Sequence, residues 1–243
     1  VREAIAAGQR DSYELVQASF LPETGVEVNF ARLPADAVET LVGTLADGSP
    51  LRDLLVEAVG EAADGFSETM VTGLASGWNP RKLARELRSA YGMGLTRSMR
   101  IARTEQLRAY REATRHTYQE NSHVVTGWER MAAQDDRTCM ACVMLDGKRY
   151  ELNEPMDDHV QGRCAMLPIT ATYRELGLDV DEPDFRRELA SDWFRRQDEG
   201  TQSRMMGPGM FEAWQAGEFK LDDIPKLRRN EVWGNSWVPK SLK

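Results

Sequence analysis

Apolar positions in the first half of the chain recur with the period of an α-helix. Residues 2–19 carry that pattern up to Phe20, and 35–42 repeat it more briefly after Pro34. The run from Leu51 to about Leu74 sets Leu51, Leu54, Leu55, Ala58 and Ala62 at helical spacing, with Ser49-Pro50 as cap and first-turn proline. Gly77-Trp78-Asn79-Pro80 then breaks the chain. Asn79 is placed as the N-cap of a helix that starts at Pro80 and runs to Tyr91. Gly92-Met93-Gly94 predicts a turn, followed by a long helix from about Leu95 to Glu120.

The faces of that last helix separate. At roughly 100° per residue, Leu95, Met99, Ala102, Ala109, Tyr110 and Ala113 share one arc, the expected buried stripe. Arg97, Arg100, Arg108, Arg111 and Arg115 share the opposite arc. Two readings stand for it. One is a solvated face that pairs with acidic residues such as Asp47, Asp53, Glu57, Glu61, Asp64 and Glu68. The other is a contact surface for an acidic protein or for DNA.

After Ser122 the pattern turns strand-like. Val124 to Met131 is dense in β-branched and aromatic residues, and Asp135-Asp136-Arg137-Thr138 follows as a polar turn. Asp146-Gly147 is a turn signal of the hairpin kind, and Arg163 to Thr172 reads as a returning strand interrupted by Pro168. In the tail, Asp184 to Gln197 looks helical with Trp193-Phe194 as anchor, and a short helix is expected at Met210 to Gln215 after Gly207-Pro208-Gly209. From Leu221 on there is little periodicity. Trp193, Trp214, Trp233 and Trp237 read as packing anchors. The expected fold class is therefore α+β, mainly α. It comprises a helical domain over 1–122, a small β-rich module over 123–175 and a mixed helical and irregular segment over 176–243.

Composition narrows the classes. The chain has 243 residues, a hydrophobic fraction of 41% and a charged fraction of 29%, ordinary for a globular protein. No apolar run reaches the roughly 18 residues of a membrane span, and neither end carries a signal-peptide pattern, so a membrane partner is not expected. A formal net charge of −8 argues against nucleic-acid binding over the whole surface, though not on a local basic face.

The three cysteines all fall between Cys139 and Cys164. Cys139-Met-Ala-Cys142 is a knuckle in which two thiolates can converge on one ion. With His159 and Cys164 it makes a Cys3His set suited to closed, structural Zn2+ coordination. The competing reading is metal-free thiols, with Cys139 and Cys142 as a redox pair. A catalytic metal would need an open position and a base. Asp157 and Asp158 adjoin His159 but read as solvated carboxylates, and His116 and His123 read as surface or capping groups.

The words around this set carry a resemblance. Ala102-Arg103-Thr104-Glu105 on a helix is followed by Trp128 and then by Asp136-Arg137-Thr138-Cys139 leading to Cys142. Leu145-Asp146-Gly147, Pro155, His159 and Arg163-Cys164 complete the block. From about Ile101 to Ile169 this is similar to the phage head-morphogenesis family, the minor capsid proteins like phage Mu protein F. The usual ending of that block is His, two residues, Cys, Arg, Cys; here Gly162 stands in place of the first of those cysteines. The resemblance implies a minor head protein of a tailed bacteriophage, present in the virion at the portal vertex and acting in head morphogenesis or genome delivery. Its implied partner is the portal protein, with capsid or scaffold protein beside it. The basic helix face is the candidate contact for packaged DNA, and no small-molecule substrate and no enzymatic activity are expected. The alternative reading is a metal-dependent nuclease or a toxin-like enzyme of the head, although no catalytic triad and no phosphate-binding glycine loop is evident.

Overall fold

The computed structural model describes residues 63–76, 78–177, 179–181, 187–229 and 235–241. The helical stretches expected at 2–19 and 35–42 and from Leu51 to residue 62 lie outside them, as does Trp233. The fold is mixed and mainly helical, as the periodicity predicts.

Three helices lead. Helix α1 (Ala63–Ala75) packs on α2 (Pro80–Tyr91) through Phe66, whose ring lies 5.3 Å from that of Tyr91. Asn79 caps α2 as expected: its Oδ1 accepts from the Lys82 backbone N–H at 2.9 Å. Gly92 ends the helix at φ 63°, a left-handed cap that suits a residue without Cβ, and its N–H donates to the Arg88 carbonyl. The chain re-enters helix at once as α3 (Leu95–Glu120), whose N-terminal half packs on the Leu83, Ala84 and Leu87 face of α2.

The buried face of α3 is not the expected stripe. Leu95 is 44% exposed, and Met99, Ala109 and Tyr110 are only half-buried. Ala102 and Ala113 of that stripe are buried, but the other buried positions are Ser98, Ile101, Thr104, Glu105, Arg111, Thr114, Thr117 and Tyr118. Polar residues can occupy this ridge because their hydroxyls turn back on their own helix. Thr104 donates to the Arg100 carbonyl at 2.7 Å and Thr117 to that of Ala113 at 2.8 Å. Small side chains such as Ser98, Ala102 and Ala113 also let the neighbouring elements approach closely.

Strand β1 (Val125–Met131) is the centre of an antiparallel sheet ordered β2-β1-β3, with β2 at Arg149–Tyr150 and β3 at Ala165–Thr170. Pro168 is tolerated because β3 is an edge strand. Buried Trp128 stacks on Tyr150 at 4.1 Å, and the Tyr118 hydroxyl donates to the Met166 carbonyl at 3.0 Å, which docks α3 on the sheet. Between β1 and β2 lies helix α4 (Met140–Leu145), so the Asp146-Gly147 turn joins a helix to a strand rather than closing a tight hairpin.

The C-terminal segment holds α5 (Ala190–Arg195), α6 (Glu199–Met206), α7 (Pro208–Gln215) and a ribbon of β4 (Pro225–Arg228) with β5 (Ser236–Pro239). Of the helix expected over Asp184 to Gln197, residues 184–186 lie outside the described residues, 187–189 are not helical, and α5 covers Ala190–Arg195. Phe194 is fully buried, as an anchor should be. It shares one core with Met140, Cys142, Val143, Cys164, Met206, Leu221 and Ile224, so this segment and the β module are packed together.

Candidate metal centre

Cys139 is the N-cap of α4. Its backbone is extended, and its Sγ accepts from the Cys142 N–H at 3.4 Å. The first helical turn therefore presents Cys139 and Cys142 on the same side. His159 arrives on the loop before β3, with Nε2 at 3.1 Å from Cys139 Sγ and 3.3 Å from Cys142 Sγ. Its Nδ1 lies 3.0 Å from the Val160 carbonyl, which can only accept. That nitrogen therefore carries the proton, and the lone pair of Nε2 is directed at the sulfurs, the orientation a ligating imidazole needs.

Cys164, just before β3, gathers with Cys142 and Asp158. Donor atoms within each triplet, Cys139–Cys142–His159 and Cys142–Asp158–Cys164, lie within 4.8 Å of one another, and Cys142 belongs to both. A tetrahedral ion with bonds of about 2.0–2.3 Å sets its donors about 3.5 Å apart, so the first triplet is close to the required spread. These residues are placed to hold a metal ion. All four residues expected from the sequence are brought together around Cys142.

Asp158 is not the solvated carboxylate the sequence suggests. Its side chain is 2% exposed, with Oδ1 2.6 Å from Arg130 Nη2 and Oδ2 2.6 Å from Arg111 Nη2. Arg130 is fully buried; it also donates to the Asp157 carbonyl at 3.1 Å and reaches Cys142 Sγ at 3.6 Å. Two buried guanidiniums thus share one buried carboxylate. With that carboxylate engaged on both oxygens, Cys164 is the better fourth donor.

Arg111 is the main correction to the basic arc. It is buried and donates to the carbonyls of Gly162 at 2.7 Å and Cys164 at 2.9 Å. Arg108 and Arg115 pair with Glu105 and Glu112 on the same helix, while Arg97 and Arg100 remain exposed. His116 is half-exposed near Glu112 and His123 is exposed, as expected of surface groups.

Gly162 has a steric reason. A Cβ built there would overlap the Asp158 carboxylate, so the residue that departs from the usual ending of the block makes room for Asp158 between its two arginines. Sequence reasoning missed Arg130 and the role of Asp158. The only available signal was the position of Asp158 beside His159.

Proton affinities follow from this crowding. The hydrogen bond from Cys142 holds the Cys139 thiol below its ordinary value against the opposing effect of burial. The hydrogen bond to Cys142 pushes the His159 imidazole up to about 9, and the Cys142 contact and burial raise Cys164. A metal takes thiolates and a neutral imidazole, so its binding here releases protons.

A further carboxylate of the block is structural. Asp146, with its side chain fully buried, accepts from the N–H groups of Ala132 and Ala190 and from Arg187 Nη1, each at 2.7 Å. It ties the end of β1 to the start of α5.

Comparison with known proteins adds a family. No curated protein and no solved structure matches the chain. The family model described as Phage Mu protein F like protein matches residues 64–167, from α1 through the metal centre into β3. That is less than half of the 243 residues but spans every element that builds the centre. Over this segment the chain is similar to the Phage Mu protein F-like family.

Proposed function

We propose that the protein is a minor head protein of a tailed phage that binds the portal and acts in head morphogenesis, with a Zn2+-clamped scaffold at its centre. The family suggests a head-morphogenesis protein. Portal association, presence in the virion and a part in genome delivery are our extension of that. The observation that carries the reading is that the matched segment is organised as a fastening. The loop from His159 to Cys164 is tied to α4 by sulfur and imidazole, and to α3 by Arg111. The donors are soft thiolates and one imidazole, the set that selects zinc. The nearest carboxylate is held by two arginines, which suits a closed structural ion better than one that activates water.

The test is capture of the tagged full chain with portal oligomers, together with a search for it in purified virions. Co-purification and virion incorporation are expected. Absence from both overturns the assignment. For the ion, elemental analysis is expected to give one zinc per chain, lost in Cys142→Ser; a different metal at that stoichiometry, or none, overturns the zinc reading.

A further inference from the structure

Cys142 is the most crowded of the three cysteines. Its Sγ lies within 4.8 Å of the sulfurs of both Cys139 and Cys164 and 3.8 Å from Asp158 Oδ1. Once the sulfurs are thiolates, these like charges repel strongly in a site closed to water. One guanidinium nitrogen answers two of them: Arg130 Nη2 is 2.6 Å from Asp158 Oδ1 and 3.6 Å from Cys142 Sγ. Arg111 closes the set from α3, paired with Asp158 Oδ2 at 2.6 Å and donating from Nε to the Cys164 carbonyl. Asp158 needs one cation for its neutralisation, yet two buried guanidiniums face it. Asp157, the other carboxylate near Arg130, is partly exposed, so water screens its charge. Burying the second guanidinium is costly unless a further anion compensates it, and the sulfurs are the groups placed to do so.

We propose that Arg130 and Arg111 are positioning residues of the metal centre, supplying the positive charge that lets three thiolates gather on one divalent ion. The inference rests on the zinc reading above. Three thiolates and Asp158 bring four negative charges and the two guanidiniums bring two positive ones, so a divalent ion leaves the buried group neutral. The two arginines have different parts. Arg130 also fixes Cys142 Sγ through an N–H···S bond, while Arg111 holds the backbone of Cys164 and Gly162 and makes no bond to sulfur. Asp158 is the spacer: each of its oxygens faces one guanidinium, which keeps the two like-charged forks apart and aimed. Partners of this kind, one layer outside the ligands, set how tightly a metal is held.

Zinc affinity of the full chain, measured by competition with a chromophoric chelator, tests it together with the absorption spectrum of the cobalt-substituted protein. Arg130→Met is expected to weaken zinc binding by about 10–100-fold. Arg130→Lys keeps the charge and is expected to recover most of that loss. Arg130→Met/Asp158→Asn removes one charge of each sign, so it is expected to bind more tightly than Arg130→Met alone. The N–H···S bond has its own signature, because its loss raises the energy of the sulfur lone pair. The sulfur-to-cobalt charge-transfer band is therefore expected at longer wavelength in Arg130→Met/Asp158→Asn and in its parental place in Arg111→Met/Asp158→Asn. These two variants remove the same charges and leave no excess one, so they decide the matter even if Arg130→Met does not fold. Parental zinc affinity in Arg130→Met overturns the proposal, as does a double variant no tighter than the single one. So does a band that stays in place when Arg130 is replaced, or moves equally when Arg111 is. A parent chain that holds neither zinc nor cobalt overturns the zinc reading itself, and this proposal with it.

Discussion

Arg130 and Asp158 occupy a place where neither charge is stable alone. Both are sealed from solvent, and each relies on the other, on Arg111 and on the sulfurs for its neutralisation. Removing one member of such a set leaves an uncompensated buried charge, which costs about 3–5 kcal/mol. Arg130→Met is therefore expected to lower the free energy of unfolding in urea by that order, and a loss under 1 kcal/mol would show that water replaces the guanidinium. Gly162 makes the same point through space. Gly162→Ala drives a methyl into the Asp158 carboxylate, so it should destabilise by about 1–3 kcal/mol. In the Asp158→Ala background most of that penalty should vanish, which a double-mutant cycle measures. At this scale the sequence was readable where chemistry is local and opaque where it is not. Cys139, Cys142, His159 and Cys164 declare themselves by spacing. Asp158 looked solvated because its two arginines come from β1 and α3, and nothing in its neighbours announces them.

The elements divide in the same way. Helices α2 and α3 could be bounded from Asn79-Pro80 and the glycines at 92 and 94, because caps and turns are decided within a few residues. Their faces could not. The buried ridge of α3 holds serine and threonine that bond back to their own helix, and Arg111, whose partners, the carbonyls of Gly162 and Cys164, lie on a distant loop. The β4–β5 ribbon was missed because its strands are short and bounded by Pro225 and Pro239. Two loops of the centre are joined by an ion pair with its own signature. Arg163 donates to both oxygens of Asp135, at 2.6 and 2.7 Å, linking the turn before α4 to the residue before Cys164. This pair, with help from Thr138, holds the Asp135 carboxyl well below its ordinary value of 3.8. The folded-state value lies below the unfolded one. The stabilisation is therefore complete above about pH 4 and is lost as pH falls through the folded value. Both side chains are partly exposed, so the contribution stays within about 1 kcal/mol. Asp135→Asn should flatten the fall in urea midpoint from about pH 4.5 to 2.5, measured in chelator so that acid release of metal does not contribute. An acid limb identical to the parent's would show that the link is without energetic weight.

For the whole molecule, the decisive fact is that the metal centre and the C-terminal helices share one core. Cys142 and Cys164 pack in the cluster that contains Phe194, Met206, Leu221 and Ile224, while Asp146 fastens β1 to the start of α5. An ion bound there acts on more than its own loop. At a free concentration a thousandfold above its dissociation constant, a metal adds about 4 kcal/mol to folding, equivalent to about 10 °C in Tm for a chain of this size. Chelation is expected to lower Tm by that order. If the core is common, amide protection over Ala190–Arg195 and Pro208–Gln215 should fall together with that over Met140–Leu145, although none of the four donors lies in the two C-terminal helices. Protection lost over Met140–Leu145 alone would mean that the clamp's influence ends with the β module. Loss in α3 is expected as well, because Arg111 holds that helix to the carbonyls of Gly162 and Cys164.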